Sequence, residues 1–168
     1  YIPTTTATAT RTADVASITG ANFSSFYNQT EGTVFAASSL TGISTSRELV
    51  SISDGTSNNS IVVRWASASQ SQFSVTTDGV NQANNAPGGY SNLGQYYSRA
   101  VGYKLDNFAQ SIDGILTGTD SSGTIPVLDR IFIGANTSGA AGFTGTIKRL
   151  TYWPVRLANP TLQSITAP

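Results

Sequence analysis

The residues best equipped for recognition chemistry lie in Ala86-Pro-Gly-Gly-Tyr-Ser-Asn-Leu-Gly-Gln-Tyr-Tyr-Ser-Arg99, where three tyrosines sit among glycine, serine, asparagine and glutamine. Such a mix sets flat apolar rings beside uncharged hydrogen-bonding groups. Sugars present C–H patches and hydroxyls, which makes Tyr90, Tyr96 and Tyr97 candidate ligand contacts. The competing reading is that Tyr96 or Tyr97 opens the next strand and packs inward while Tyr90 covers a loop. Arg99 and Lys104, with Asp78 and Asn81 in a facing turn, have groups suited to hydroxyls or an acidic sugar, although a solvated surface is favoured for Lys104. Trp65 shares a strand face with Ile61 and Val63, while Arg64 shares the other with Val62. Core packing is therefore favoured for its indole, with sugar stacking as the rival. Phe132, opposite Ile131 and Ile133, falls on a second sheet face.

The chain contains no His and no Cys. A Ser-His-Asp or Cys-His nucleophile, a thiolate and an imidazole-bound zinc are all excluded, and only oxygen-ligand metals remain. A glycosidase needs two carboxylates about 5–10 Å apart. Glu31 and Glu48 are the only glutamates and are far apart in sequence, and Asp54, Asp78, Asp106, Asp113 and Asp120 all sit in turn sequences. No catalytic residue is expected.

Nine basic residues balance nine acidic ones, so the excess positive charge that neutralises phosphates is missing and nucleic acid is not an expected partner. Membrane insertion is not expected either, because no run approaches the ~20 apolar residues of a spanning helix. Of 168 residues, 22 are Ser and 23 are Thr, while 11% are charged. Hydroxyls and amides rather than charges must solvate such a surface. The 39% hydrophobic content still supplies a core.

Short alternating runs separated by turn signals predict an all-β sandwich or barrel. Strands are expected at Thr33–Ser38, Glu48–Ser53, Ser60–Ala66, Gln72–Thr77, Tyr97–Leu105, Asn107–Asp113, Arg130–Gly134 and Gly145–Tyr152. Asp54-Gly55, Asp78-Gly79 and Asp113-Gly114 mark turns, and Leu105-Asp106-Asn107-Phe108 reads as a hairpin. Ala100, Gly102 and Lys104 form a small, flat side opposite Arg99, Val101, Tyr103 and Leu105. Ile147 and Leu150 are three apart yet both look core-facing, which predicts a bulge between them. Asn159-Pro160 predicts a short C-terminal helix with an Asn cap, the only helical segment expected. Residues 1–13 read as an extended connector from an upstream domain, ahead of one domain over 14–168, and the start at Tyr1 reads as a piece of a longer polypeptide.

Three stretches carry a more specific likeness. They are Arg11 to Thr33 (Arg-Thr-Ala-Asp-Val-Ala-Ser-Ile-Thr-Gly-Ala-Asn-Phe-Ser-Ser-Phe-Tyr-Asn-Gln-Thr-Glu-Gly-Thr), Val101 to Gly114, and Arg130 to Gly134 continued by Gly145 to Leu157 and Leu162-Gln163. In this order they resemble the concanavalin A-like, laminin G-like jelly-roll modules of bacteriophage tail and fibre proteins. The resemblance implies a two-sheet antiparallel jelly-roll sandwich in a virion or extracellular setting, and a lectin-like, carbohydrate-binding role in host recognition with glycan on the host surface as partner. Trp65, Asp78, Asn81, Tyr90, Tyr96, Tyr97 and Arg99 would then be the ligand contacts. The family also allows calcium at rim loops, here Asp120-Ser-Ser-Gly and Asn136-Thr-Ser-Gly. It departs from the enzymes of the superfold, whose Glu-x-Asp-x-x-Glu strand is absent from this sequence. The rival expectations are a structural module that helps a fibre form a homotrimer or attach to the virion, and a polysaccharide-cleaving enzyme.

Overall fold

The structure, a computed structural model, describes residues 15–42, 47–67, 69–90, 93–140 and 142–168. The expected connector lies outside them. Among the described residues, a six-stranded sheet runs in the order β1 (Ala16–Thr19), β10 (Arg130–Ile133), β3 (Arg47–Ser53), β4 (Ser60–Ser67), β5 (Gln70–Thr77) and β6 (Val80–Asn85). A five-stranded sheet runs β11 (Gly145–Trp153), β2 (Glu31–Leu40), β7 (Tyr97–Lys104), β8 (Phe108–Ile112) and β9 (Ile115–Asp120). All pairings are antiparallel. The result is the expected jelly-roll sandwich.

Alternation explains which side of each sheet is buried. Ile61, Val63 and Trp65 of β4 point inward with Phe73 and Val75 of β5, meeting Val34, Val101 and Phe108 from the other sheet. Their neighbours Val62, Arg64, Gln72 and Ser74 must then face outward. Turn chemistry fixes the register. Asp78 and Gly79 both take positive φ, 51° and 76°, as do Asp113 and Gly114 at 47° and 81°. Both pairs make the two-residue hairpin turn that matches strand twist. Lys104 and Asn107 exchange backbone hydrogen bonds of 3.1 and 2.9 Å, closing the expected hairpin around Leu105 and Asp106.

The bulge expected near Ile147 is present, since β11 shifts register against β2 between Ile147 and Arg149. Four elements escaped the sequence reading: β1, β6, β9 and the short helix α1 (Gly20–Ser24), so the C-terminal helix is not the only one. Each is short or carries polar residues at positions that a buried strand would fill with apolar ones.

The outer face of the five-stranded sheet is covered by the tail, residues 154–168. Helix α2 (Asn159–Thr166) lays Leu162 onto Phe35, Ala37, Ala100 and Ala109. The small, flat side read from Ala100 and Gly102 is the seat for this segment. A Cβ at Gly102 would come within 3.2 Å of the Arg156 side chain, so a larger residue here would press that side chain outward. Thr33 fastens it twice, its hydroxyl donating to the Val155 carbonyl at 2.8 Å and accepting from the Leu157 amide at 2.9 Å. The expected Asn cap is corrected. Ala158 occupies the cap position, and the Asn159 side-chain oxygen Oδ1 instead accepts from Arg156 Nη2 at 2.5 Å. Pro160 sits in the first turn as expected.

At one end of the sandwich Phe23, Phe26, Tyr27 and Tyr152 stack through ring contacts of 4.4–5.6 Å. Tyr103 joins them from β7, and a side chain at Gly32 would collide with its hydroxyl. Burial pushes the phenols of Tyr27 and Tyr103 well above the usual tyrosine value, and Tyr152 is raised by the same cause.

Candidate functional site

The outward side of the six-stranded sheet forms a trough of about 310 Å³. Its floor is built by strand register. Glu48 of β3 lies opposite Arg64 of β4, and Arg64 lies opposite Gln72 of β5. Side chains link along this row and then step to the next: Arg64 Nη1 lies 3.5 Å from Glu48 Oε1, Arg64 Nε donates to Gln72 Oε1 at 2.6 Å, and Gln72 Nε2 donates at 2.6 Å to Asn84 Oδ1 of β6, which lies opposite Ser74. This polar chain crosses four strands. The next rows carry Val62 and Ser74, then Ser60, Thr76 and Asn81.

One wall is the loop after β10, which folds back over the sheet and contributes Asn136 and Thr137. Two serines on the outward side of β3 hold it. Ser51 Oγ donates to the Ala135 carbonyl at 2.9 Å, and Ser53 Oγ donates to the Thr137 carbonyl at 3.2 Å. The Asn136 side-chain oxygen accepts from Ser138 N, Ser138 Oγ and Ala140 N at 2.8–3.0 Å. Gly139 turns at φ 80° against the Phe132 ring. Phe132 does lie on the outward face, but under this loop.

Ser57 closes one end of the trough from the β3–β4 loop. Burial alone would raise the Asp54 carboxyl, yet hydrogen bonds from Thr56 and Asn59 hold it below its usual value. Asn59 Oδ1 also accepts the Asp78 amide at 2.9 Å, and Gly79 N donates to the Asn58 carbonyl at 2.9 Å. The β5–β6 turn and the β3–β4 loop are thereby clasped together.

Of the seven residues expected to touch ligand, Asn81 lines the trough. Asp78 is exposed in the clasped turn. Trp65, Tyr97 and Arg99 are buried, at 1%, 5% and 0% exposure, which for Trp65 is the core packing that its strand parity favours. They lie between the sheets, because even-spaced inward positions on β4 and β7 must fill the core. Tyr90 packs edge-on against Tyr97 at 5.4 Å, and Tyr96 is exposed with Lys148 Nζ 5.6 Å from its ring. Neither lines the trough. Missed were Arg64, Gln72, Ser74 and Asn84. Their signal was available in the polar residue at every second position of β5, opposite Phe73 and Val75.

The two glutamates are on different sheets and each has a structural role. Glu31 accepts the Arg156 amide at 3.0 Å and pairs with Lys104 at 3.6 Å, which fixes the tail, while Glu48 pairs with Arg64. The loops that the family resemblance offered for calcium use side-chain oxygens within their own turns. Asp120 Oδ1 caps Ser122 N at 3.0 Å, the Asn136 oxygen is engaged as above, and no group of three acidic residues gathers among the described residues.

No protein-family model matches this chain, and no curated sequence does. Solved structures do resemble its fold. The CBM40 of the Ruminococcus gnavus IT-sialidase, bound to α2,3-sialyllactose, superposes with a TM-score of 0.72 at 16% identity, covering 84% of each chain. The NanB sialidase of Streptococcus pneumoniae gives 0.69 at 14% identity, covering 89% of this chain and 26% of that one. The heptameric SAP-like pentraxin of Limulus polyphemus gives 0.62 at 16% identity, covering 82% and 70%. The architecture built up from strand register is thus a jelly-roll sandwich of the concanavalin A-like type.

Proposed function

We propose that this chain is a non-catalytic glycan-binding module whose ligand lies in the trough on the six-stranded sheet. The observation that carries the reading is the polar chain Glu48, Arg64, Gln72 and Asn84 across four strands, which lines a trough beside serine, threonine and asparagine side chains. Hydroxyl-rich ligands exchange water for such donors and acceptors one for one. One similar structure is solved with sialyllactose bound, which supports a glycan as the ligand class. The segments resembling tail and fibre modules support a virion appendage as the setting and a host-surface glycan as the partner. A glycan array read with the full chain, followed by amide chemical-shift mapping, tests the reading. Shifts confined to β3 to β6 and the 134–140 wall are expected, whereas an array with no bound glycan would overturn it.

A further inference from the structure

Within the glycan-binding reading, on which this inference rests, the trough also specifies the charge of its ligand. Glu48 and Arg64 are the only ionisable residues among those lining it, so the lining has zero formal charge. Arg64 is engaged within the sheet on two sides, by Gln72 through Nε and by Glu48 through Nη1. Capture of a carboxylate by arginine usually uses the planar fork of donors bidentately. Here two donors of that fork, Nε and Nη1, already face partners on the neighbouring strands. An incoming carboxylate at Arg64 would also meet the Glu48 carboxylate, whose side chain is only 11% exposed and poorly screened. The remaining polar lining consists of Ser, Thr, Asn and Gln, which recognise hydroxyls and amides without a net charge. Among the described residues no aromatic ring lines the trough, so an apolar sugar face finds no stacking platform among them.

We infer that the trough takes an uncharged, hydroxyl-rich glycan and excludes acidic sugars, with Glu48 as the residue that enforces the exclusion. The similar CBM40 solved with sialyllactose would then share the fold and not the ligand charge.

An array of matched neutral and acidic oligosaccharides, including sialylated and unsialylated pairs and uronic acid-containing chains, tests this with the full chain and with Glu48→Gln. Neutral members are expected to bind with affinity that changes less than about twofold between low and high salt, and each acidic partner about tenfold more weakly. Glu48→Gln is expected to shrink that discrimination by releasing the Arg64 charge. Preferential binding of acidic members, abolished by Arg64→Gln, would overturn the inference and leave the glycan-binding reading standing. No binding to any member, or shifts outside the trough, would overturn both.

Discussion

The Arg99 guanidinium lies 3.8 Å from the centroid of the Trp65 ring, fully buried between the two sheets. Its Nε donates to Ser71 Oγ and its Nη1 to Ser38 Oγ, both at 2.9 Å, while Nη2 has no partner among the described residues. Burial pushes its pKa down to about 9, only partly offset by the Asp113 charge. Stacking on a desolvated indole recovers about 2 kcal/mol, whereas an incompletely compensated buried charge costs several.

Arg99→Met should therefore fold with stability within about 1 kcal/mol of the wild type or above it, whereas Arg99→Ala should lose about 2–5 kcal/mol by opening a cavity. Urea unfolding measures both. A loss above about 2 kcal/mol in the methionine variant would show that the guanidinium contributes net stability.

The tyrosine cluster gives stability a pH limit on the alkaline side. The phenols of Tyr27, Tyr103 and Tyr152 have folded pKa values above the unfolded value of 10.0, so their contribution is complete below about pH 10 and is lost as pH rises beyond it. Arg99 works in the opposite sense: from about pH 9 upward the unfolded chain holds the extra proton, and stability rises with pH. Three raised phenols outweigh one depressed guanidinium. The urea midpoint should fall above about pH 10, and should fall less steeply in Tyr103→Phe. Parallel falls in the two proteins would remove Tyr103 as the cause.

Gln72 joins the two halves of the polar row, accepting from Arg64 and donating to Asn84. Gln72→Leu should weaken glycan binding about tenfold, the scale of one to two lost hydrogen bonds, while leaving the circular dichroism spectrum unchanged. Tyr96→Ala should bind as the wild type does, since Tyr96 lies outside the trough. Isothermal titration with the glycan selected on the array distinguishes them, and the reverse pattern would return the site to the tyrosine-rich segment.

The trough wall rests on Phe132 and on the positive φ of Gly139. Gly139→Val places a β-branched residue in left-handed backbone, a strain of about 1–3 kcal/mol. Affinity should fall in this variant although residue 139 does not line the site. Chemical shifts should move at Asn136 and Thr137 even without ligand. Unmoved shifts there would show that the wall is held by Ser51 and Ser53 alone.

Leu162 is fully buried between the tail and the five-stranded sheet, so Leu162→Ala should cost about 2–5 kcal/mol. Gly102→Val should act through Arg156 and expose Phe35 and Ala37 to a hydrophobic dye. Dye binding equal to that of the wild type would mean that the tail seats without Gly102.

Most of the framework was legible because alternation is a local signal. Ile61, Val63 and Trp65 announce a buried face whatever they pack against, and Ile147 and Leu150 announce their bulge by spacing alone. The short polar strand β6 was not, since Val80 is exposed and only Ala83 is buried. The site was legible only in part for a related reason. Chemistry-bearing residue types drew attention to Arg99, Trp65 and Tyr97, but their inward parity places them in the core. Parity on β4 and β5 singles out Arg64 and Gln72, yet only the sheet order makes them adjacent to Glu48 and Asn84.

The tail gives the sandwich a direction. With one sheet roofed by α2 and the other carrying an open trough, the two outer faces of the sandwich differ. Any attachment made through the roofed side would leave the trough pointing away from whatever holds it, and many copies fixed in that manner would present a uniform outward surface. Avidity would then come from orientation alone, with no contact between neighbouring modules.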